Sequence, residues 1–317
     1  ADELAEMLGE PYGTLILTIS ATIIEVAIML TVLGHGEGNE TFVRDTIAAT
    51  VMITVGFMLG MAMLIGAFVH KQQEANTEGA LTYLGLIIPL AIFVLIMPNF
   101  TDSTVGPTLA LAQEIFVAVV ALLLYAIFLF IQTRRHRKMF MDRSAPEPMT
   151  FDAKIEPTIP VGEKSPPYYR LKHLAWLLGS LLLVVLLAEE MAVVVDSRLE
   201  ARDLPDQLGG LIVAMLVLAP ECLASINAAY RNRLQRAINI ALGSGLATLS
   251  LSVPAILIIV SSLGHTIELG LPAREMIMVI STLWVANIAL ATHRTNLMHG
   301  AVLLVLFLTY GFLIVVP

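Results

Sequence analysis

Nine apolar stretches, each long enough to cross a lipid bilayer as a helix, dominate this chain of 317 residues. About 20 apolar residues span the hydrocarbon core of a bilayer. Only 14% of the residues are charged, whereas an ordinary soluble domain carries roughly 25%. The sequence therefore predicts an all-α integral membrane protein. The predicted spans are residues 13–33, 45–69, 79–97, 108–132, 171–191, 208–230, 236–262, 273–292 and 297–316.

One polar segment, residues 133–170, divides these spans into a group of four and a group of five. We expect a first half over residues 1–132, a cytoplasmic linker over 133–170 and a second half over 171–317. With the linker in the cytoplasm, fourteen Lys and Arg residues fall on that side and four on the other, as the positive-inside rule requires. The pattern predicts a multi-pass protein of the cytoplasmic (inner) membrane. The chain as given is expected to start inside and end outside.

Two glutamates, Glu25 and Glu221, lie in the middle of predicted spans. An ionisable side chain near the bilayer centre costs about 2.5–3.5 kcal/mol on insertion scales, so it persists mainly where it faces a cavity, a partner or an ion. Both lie at a depth of roughly 20 Å, counted at 1.5 Å per residue. Their spans resemble each other and enter the membrane from opposite sides, which is typical of inverted-topology transporters. A purely structural carboxyl is the alternative, and the matched depth argues against it.

Hydroxyl side chains recur at helical spacing around both glutamates, on their own spans and on the spans that follow. Hydroxyl and carboxylate oxygens are the ligands that a hard cation such as Ca²⁺ requires, and Pro220 frees a further backbone carbonyl. Serine and threonine in membrane helices also bond to their own backbone or pack between helices, and that alternative stays open for each hydroxyl. The candidate ligands or pocket-lining residues are Thr22, Thr50, Thr54, Ser225, Ser244 and Thr248.

The paired carboxylates predict what the site binds. Two carboxylates that are close together in a medium of low dielectric constant cannot both stay ionised without a cation. A cation that binds Glu25 and Glu221 therefore displaces protons, and competition of Ca²⁺ and H⁺ for one site couples their movements. We expect no cofactor, because the sequence contains no Gly-rich phosphate loop, HExxH motif or Cys/His cluster. The expected partners are the lipid bilayer and the transported cations, without nucleic acid.

Two stretches around these glutamates resemble the calcium/cation–proton antiporter family. The first is GEPYGTLILTISATIIEVAIML with the following RDTIAATVMI, and the second is LAPECLASINAAYRNRLQRAINIALGSGLATLSLSVP. The resemblance implies the cation exchanger fold, with two inverted five-helix repeats. It also implies that Glu25 and Glu221 are the acidic residues of the two repeat motifs. The family places two spans before the first motif, so two N-terminal helices are expected to be absent from this chain.

The predicted function is secondary active antiport, which exchanges Ca²⁺, and also Na⁺ or K⁺ as further candidates, for H⁺ by alternating access. A sodium/calcium exchanger without proton coupling is the first alternative. A passive cation channel or a membrane scaffold that transports nothing is a second. An enzyme is the least compatible class, because the sequence offers no set of nucleophile and base.

Overall fold

The computed structural model describes residues 12–35, 41–140, 205, 207–264, 266–292 and 294–316, together with isolated positions between 175 and 194. These residues form ten helices and one pair of two-residue strands. The helices are α1 (Tyr12–His35), α2 (Phe42–His70), α3 (Thr77–Phe100), α4 (Leu111–Arg135), α5 (Arg137–Phe140), α6 (Gln207–Val217), α7 (Ala219–Tyr230), α8 (Leu234–Ser262), α9 (Ala273–Ala291) and α10 (Leu297–Val315). The strands β1 (Gln73–Glu74) and β2 (Arg294–Thr295) pair antiparallel, with Gln73 opposite Thr295.

Six helices, α2, α3, α4, α8, α9 and α10, are long and apolar enough to cross a membrane, and α6 with α7 forms a seventh candidate. Eight predicted spans coincide with described helices, with differences of up to three residues at their ends. The span 171–191 and most of the linker 133–170 lie outside the described residues. The count of nine spans therefore stays a prediction.

Two long helices, α2 and α8, form the centre of the described structure. Their apolar windows are 72% and 67% buried, whereas those of α4 and α10 are 28% buried and lie at the periphery. α1 packs on both central helices. Exposed apolar side chains such as Phe116 and Phe312 cover the peripheral helices, as a surface in contact with lipid tails requires. The centre is therefore where a polar site is shielded from lipid.

Both central helices change their winding near the middle. α2 becomes a π-helix over Met52–Met58, and α8 does so over Thr248–Ser252. Such wider turns are rare in proteins and frequently occur at functional sites. The hydroxyl residues at these turns thus lie on a backbone that differs from a regular helix, which the spacing in the sequence did not predict.

The predicted single span over 208–230 is wrong as a continuous helix. α6 ends at Val217, α7 begins at Ala219, and their axes differ by 56°. Pro220 lies in the first turn of α7. Because proline has no backbone N–H and its ring clashes with the carbonyl four residues earlier, it interrupts the helical hydrogen bonding at this point. The break places Glu221 at the start of a helix instead of in its interior.

Candidate cation and proton site

Glu25 of α1 is held by two hydroxyls from α8. Thr248 Oγ1 donates to the carboxylate, at 3.0 Å from Oε1 and 3.1 Å from Oε2, and Ser252 Oγ donates to Oε2. Thr248 and Ser252 are the first and last residues of the π-helical turn. Only 9% of the Glu25 surface is exposed. Because the Glu25 carboxylate is buried away from water, these two hydroxyls supply the hydrogen-bond donors that its oxygens need.

A small cavity of about 10 Å³ adjoins Glu25 between α1, α2 and α6. This volume is close to the minimum for one water molecule. Thr46 and Thr50 of α2 line it on one side, and apolar residues of α1 and α6 line the rest. The Thr46 hydroxyl is buried without a hydrogen-bond partner, and the Thr50 side chain approaches the Glu25 carboxylate. The described structure thus has room beside Glu25 for a water molecule or an ion of similar size.

Glu221 lies at the helix break, in the first turn of α7. Backbone N–H groups at a helix start have no partner within the helix, and the helix dipole favours negative charge there. Glu221 is half-buried, and its Oε2 atom is buried without a hydrogen-bond partner. It is close enough to Glu25 for the two carboxylates to repel each other. The fold therefore brings the two glutamates, 196 positions apart in the sequence, into one electrostatic site.

The other predicted residues form two groups: some lie at Glu25, and the hydroxyls of the others bond to backbone carbonyls. Thr54 is fully buried, but its hydroxyl donates to the Thr50 carbonyl at 2.8 Å. The Ser225 hydroxyl donates to the Ala237 carbonyl of α8 at 3.2 Å. Thr54 thus bonds to the backbone of its own helix, and Ser225 bonds to the backbone of a neighbouring helix. Both arrangements are common for hydroxyls in membrane helices. Thr50 and Thr248, in contrast, lie at Glu25.

Thr22 and Ser244 are half-buried. The Ser244 carbonyl accepts a second, weaker contact from Thr248 at 3.3 Å. Ser252 and Thr46 also lie at the site. Both continue the helical spacing of the predicted hydroxyls, four residues from Thr248 and Thr50 respectively. That spacing indicated them, although the predicted set of candidate ligands did not include them.

Close packing sets the distance between the two central helices at this level. A Cβ atom added to Gly245 of α8 would lie 2.6 Å from Thr54 Oγ1 of α2. Real Cβ atoms do not approach an oxygen so closely, so only glycine permits this arrangement of the backbones. The face of α2 that carries Thr46, Thr50 and Thr54 therefore packs against α8 near its π-helical turn.

The chemistry of the site is that of oxygen donors. It combines two carboxylates with the hydroxyls of Thr50, Thr248 and Ser252. Over the described ranges, three or more His, Cys, Asp or Glu side chains do not converge in a way that could hold a metal ion. Two carboxylates with hydroxyls suit a hard cation that binds and leaves.

The chain has relatives among known protein families. The family model described as sodium/calcium exchanger protein matches residues 1–134 and 172–316. The chain belongs to the sodium/calcium exchanger family. A curated relative, the sodium-potassium/proton antiporter ChaA of Escherichia coli, is 34% identical over 98% of this chain and 82% of the relative. The resemblance inferred from the two glutamate motifs is confirmed.

Solved structures of exchangers share the fold. Native YfkE aligns with a TM-score of 0.74 at 18% sequence identity, over 100% of this chain and 87% of that one. The H⁺/Ca²⁺ exchanger CAX aligns with a TM-score of 0.67 at 16% identity, over 93% of this chain and 70% of that one. The exchanger-family chain is therefore a multi-pass helical membrane protein, and the relatives named here are transporters and not enzymes.

Proposed function

We propose that this exchanger-family protein is a secondary active antiporter that exchanges Ca²⁺ for H⁺, with Na⁺ and K⁺ as further substrates. Glu25 and Glu221 bind the cation or the protons in competition. The observation that carries the proposal is the arrangement of Glu25. Its carboxylate is buried, bonded to Thr248 and Ser252, and close to a second carboxylate that has a buried oxygen without a partner.

Electrostatics explains why such a site couples two fluxes. Two neighbouring carboxylates in a low-dielectric interior repel each other unless a cation or protons neutralise them. A divalent cation between Glu25 and Glu221 cancels both charges, and two protons do the same. Occupancy by one therefore requires release of the other. The site therefore alternates between a cation-bound state and a protonated state, both of which are neutral. The empty site with two charged carboxylates is unfavourable and is avoided during transport.

The architecture supports alternating access at this site. We infer that residues 1–132 and 171–317 are inverted repeats joined by a cytoplasmic linker over 133–170, with nine spans in the cytoplasmic membrane. Support comes from the π-helical turns near the middle of both α2 and α8. The family match likewise leaves out residues 135–171. Broken helices and carboxylates at a repeat interface are typical of transporters whose two halves rock around a fixed site.

The transported cation has two candidates, Ca²⁺ and a monovalent ion, either Na⁺ or K⁺. Carboxylate and hydroxyl oxygens favour hard cations, and two negative charges match Ca²⁺. The name of the Escherichia coli relative specifies sodium, potassium and protons, whereas that of the solved exchanger CAX specifies H⁺ and Ca²⁺. We place Ca²⁺ first because a divalent ion neutralises Glu25 and Glu221 together. Na⁺ and K⁺ are the second candidates, because the 34% identical relative favours them.

The test is cation-driven proton movement in liposomes that contain the purified full chain and have an acidic interior. Addition of Ca²⁺, Na⁺ or K⁺ outside should collapse the pH gradient, measured with a dye trapped inside. Glu25→Gln and Glu221→Gln should each abolish this collapse, since a neutral amide cannot alternate between cation and proton. Glu78→Gln is the matched control, because Glu78 is an exposed carboxylate in the first turn of α3.

Each alternative function predicts a different result. If Ca²⁺ enters only against Na⁺ and leaves the pH gradient intact, the protein is a sodium/calcium exchanger without proton coupling. If the cation never moves uphill when a pH gradient is supplied, the protein is a passive channel. If both glutamine variants transport as well as the unmodified protein, the assignment of the site is wrong.

A further inference from the structure

A second cluster of buried carboxylates lies where the start of α2 meets the start of α9, outside the contacts of Glu25. Glu275, in the first turn of α9, has only 2% of its surface exposed, and neither carboxylate oxygen has a hydrogen-bond partner. Asp45 of α2 is equally buried and interacts electrostatically with Glu275. A buried carboxylate without donors is costly as an anion. It therefore calls for a bound positive charge, of which a proton is the smallest.

Two arginines lie near Glu275: Arg44 bonds to other groups, and Arg274 has a buried Nε atom without a hydrogen-bond partner. Arg44 of α2 binds Asp45 at 2.9 Å through Nε, and its Nη1 lies 3.5 Å from Glu268 Oε2 and 3.3 Å from the Gly270 carbonyl. The two carboxylates that Arg44 contacts directly are thus Asp45 and Glu268. Of the three acidic residues in this cluster, Glu275 is the one whose carboxylate no Lys or Arg side chain of the described residues contacts directly.

The ionisable groups that face Glu275 come from three helices. α2 contributes Arg44 and Asp45, α9 itself contributes the half-buried Arg274, and α10 contributes the buried Tyr310. Helix α3 also packs on α9, but its ionisable residues, Glu78 and Tyr83, lie in its first two turns, far from the end that is connected to the start of α9.

The cluster has a connection on each side. Toward the surface, Arg44 leads to Glu268, whose side chain is 35% exposed. Toward the interior, Asp45 is followed directly by Thr46, whose hydroxyl is buried without a partner and lines the cavity beside Glu25. The positive-inside count places this end of α2 on the outer side. The cluster therefore lies between the outer surface and the Glu25 cavity.

We propose that Glu275 is a second proton-binding site, through which protons pass between the outer solution and Glu25 by way of Asp45 and Thr46. The carboxylates of Glu275 and Asp45 and the Thr46 hydroxyl each receive one proton and give one on, whereas Arg44 stays protonated and holds Asp45 in place. No other reactant is needed. The inference rests on the proposed antiport and adds a residue outside the paired glutamates. It makes Glu275 a proton carrier and not a ligand of the transported cation.

Two transport modes of the reconstituted full chain test this role. Proton-coupled exchange needs the route, whereas exchange of radiolabelled Ca²⁺ for unlabelled Ca²⁺ at equal pH does not. Glu275→Gln should slow proton-coupled exchange about a hundredfold or more, because a positioned proton-transferring group typically contributes roughly 10²–10⁴-fold. Its Ca²⁺ self-exchange should stay within about twofold of the unmodified protein, and Glu275→Asp should retain proton-coupled exchange. Asp102→Asn is the matched control, which removes an exposed carboxylate outside the cluster, in the segment that follows α3.

The outcomes separate the two proposals. Equal loss of both modes in Glu275→Gln would mean that Glu275 is structural, and unchanged rates in both modes would mean that protons take another route. Either result overturns the inference and leaves the antiport proposal intact. If the unmodified protein shows Ca²⁺ self-exchange but moves no protons when Ca²⁺ is added against a pH gradient, the antiport proposal fails first.

Discussion

Replacing Thr248 by Val removes the hydroxyl that spans both oxygens of Glu25 and leaves the side-chain shape nearly unchanged. The hydroxyl is 3.0 Å from one oxygen and 3.1 Å from the other, and Thr248 is 3% exposed. A hydrogen bond to a charged group contributes about 1.5–3 kcal/mol. The ionised form of Glu25 loses this contribution, while the protonated form can still donate elsewhere. The proton therefore competes better with the cation.

The expected result is a cation affinity about ten- to a hundredfold weaker near neutral pH, since about 1.4 kcal/mol corresponds to a factor of ten. This loss of cation affinity should become smaller as the pH rises, because protons then no longer compete with the cation for Glu25. Equilibrium Ca²⁺ or Na⁺ binding to the purified protein over a range of pH measures both effects. Thr248→Ser, which keeps the hydroxyl, should restore most of the affinity.

Thr309→Val is the matched control, because its exposed hydroxyl on α10 bonds only to the carbonyl of Val305 in its own helix. A folded Thr248→Val protein that binds the cation within about twofold of the unmodified protein at every pH would refute the reasoning. Equal losses in Thr248→Val and Thr248→Ser would refute it as well, since shape and not the hydroxyl would then be responsible.

Two further predictions concern helix packing, and thermal unfolding in detergent measures both. Gly245→Ala should destabilise the protein by about 1–3 kcal/mol, as expected for overpacking, because the new methyl would lie 2.6 Å from Thr54 Oγ1. Gly243→Ala is its control, with the nearest atom at 3.8 Å. Gly300→Ala should destabilise at least as much, because its methyl would meet the backbone of α2 at 2.6 Å, whereas Gly311→Ala has open space. Equal stability within either pair would contradict the proposed helix contact.

Hydrophobicity along the chain was enough to predict most of the helices. A segment of about 20 apolar residues has little choice in a bilayer, because backbone N–H and C=O groups must bond within the segment. The helix break near Pro220 is a partial exception. Proline indicated a freed carbonyl, but the 56° bend depends on how α6 and α7 pack. The π-helical turns in α2 and α8 left no signal in the spacing of hydroxyls.

The sequence by itself determined that the chain is a membrane protein and that hydroxyls follow one face of the helices next to Glu25 and Glu221, and it predicted that both glutamates lie deep within spans. These properties are local, because they depend on residues within a few turns. Only the tertiary structure decided that Thr248 and Ser252, 223 and 227 positions away, bond to Glu25. It also decided that Glu275 is buried without a partner. Helical periodicity assigns a side chain to a face, and packing alone selects what that face meets.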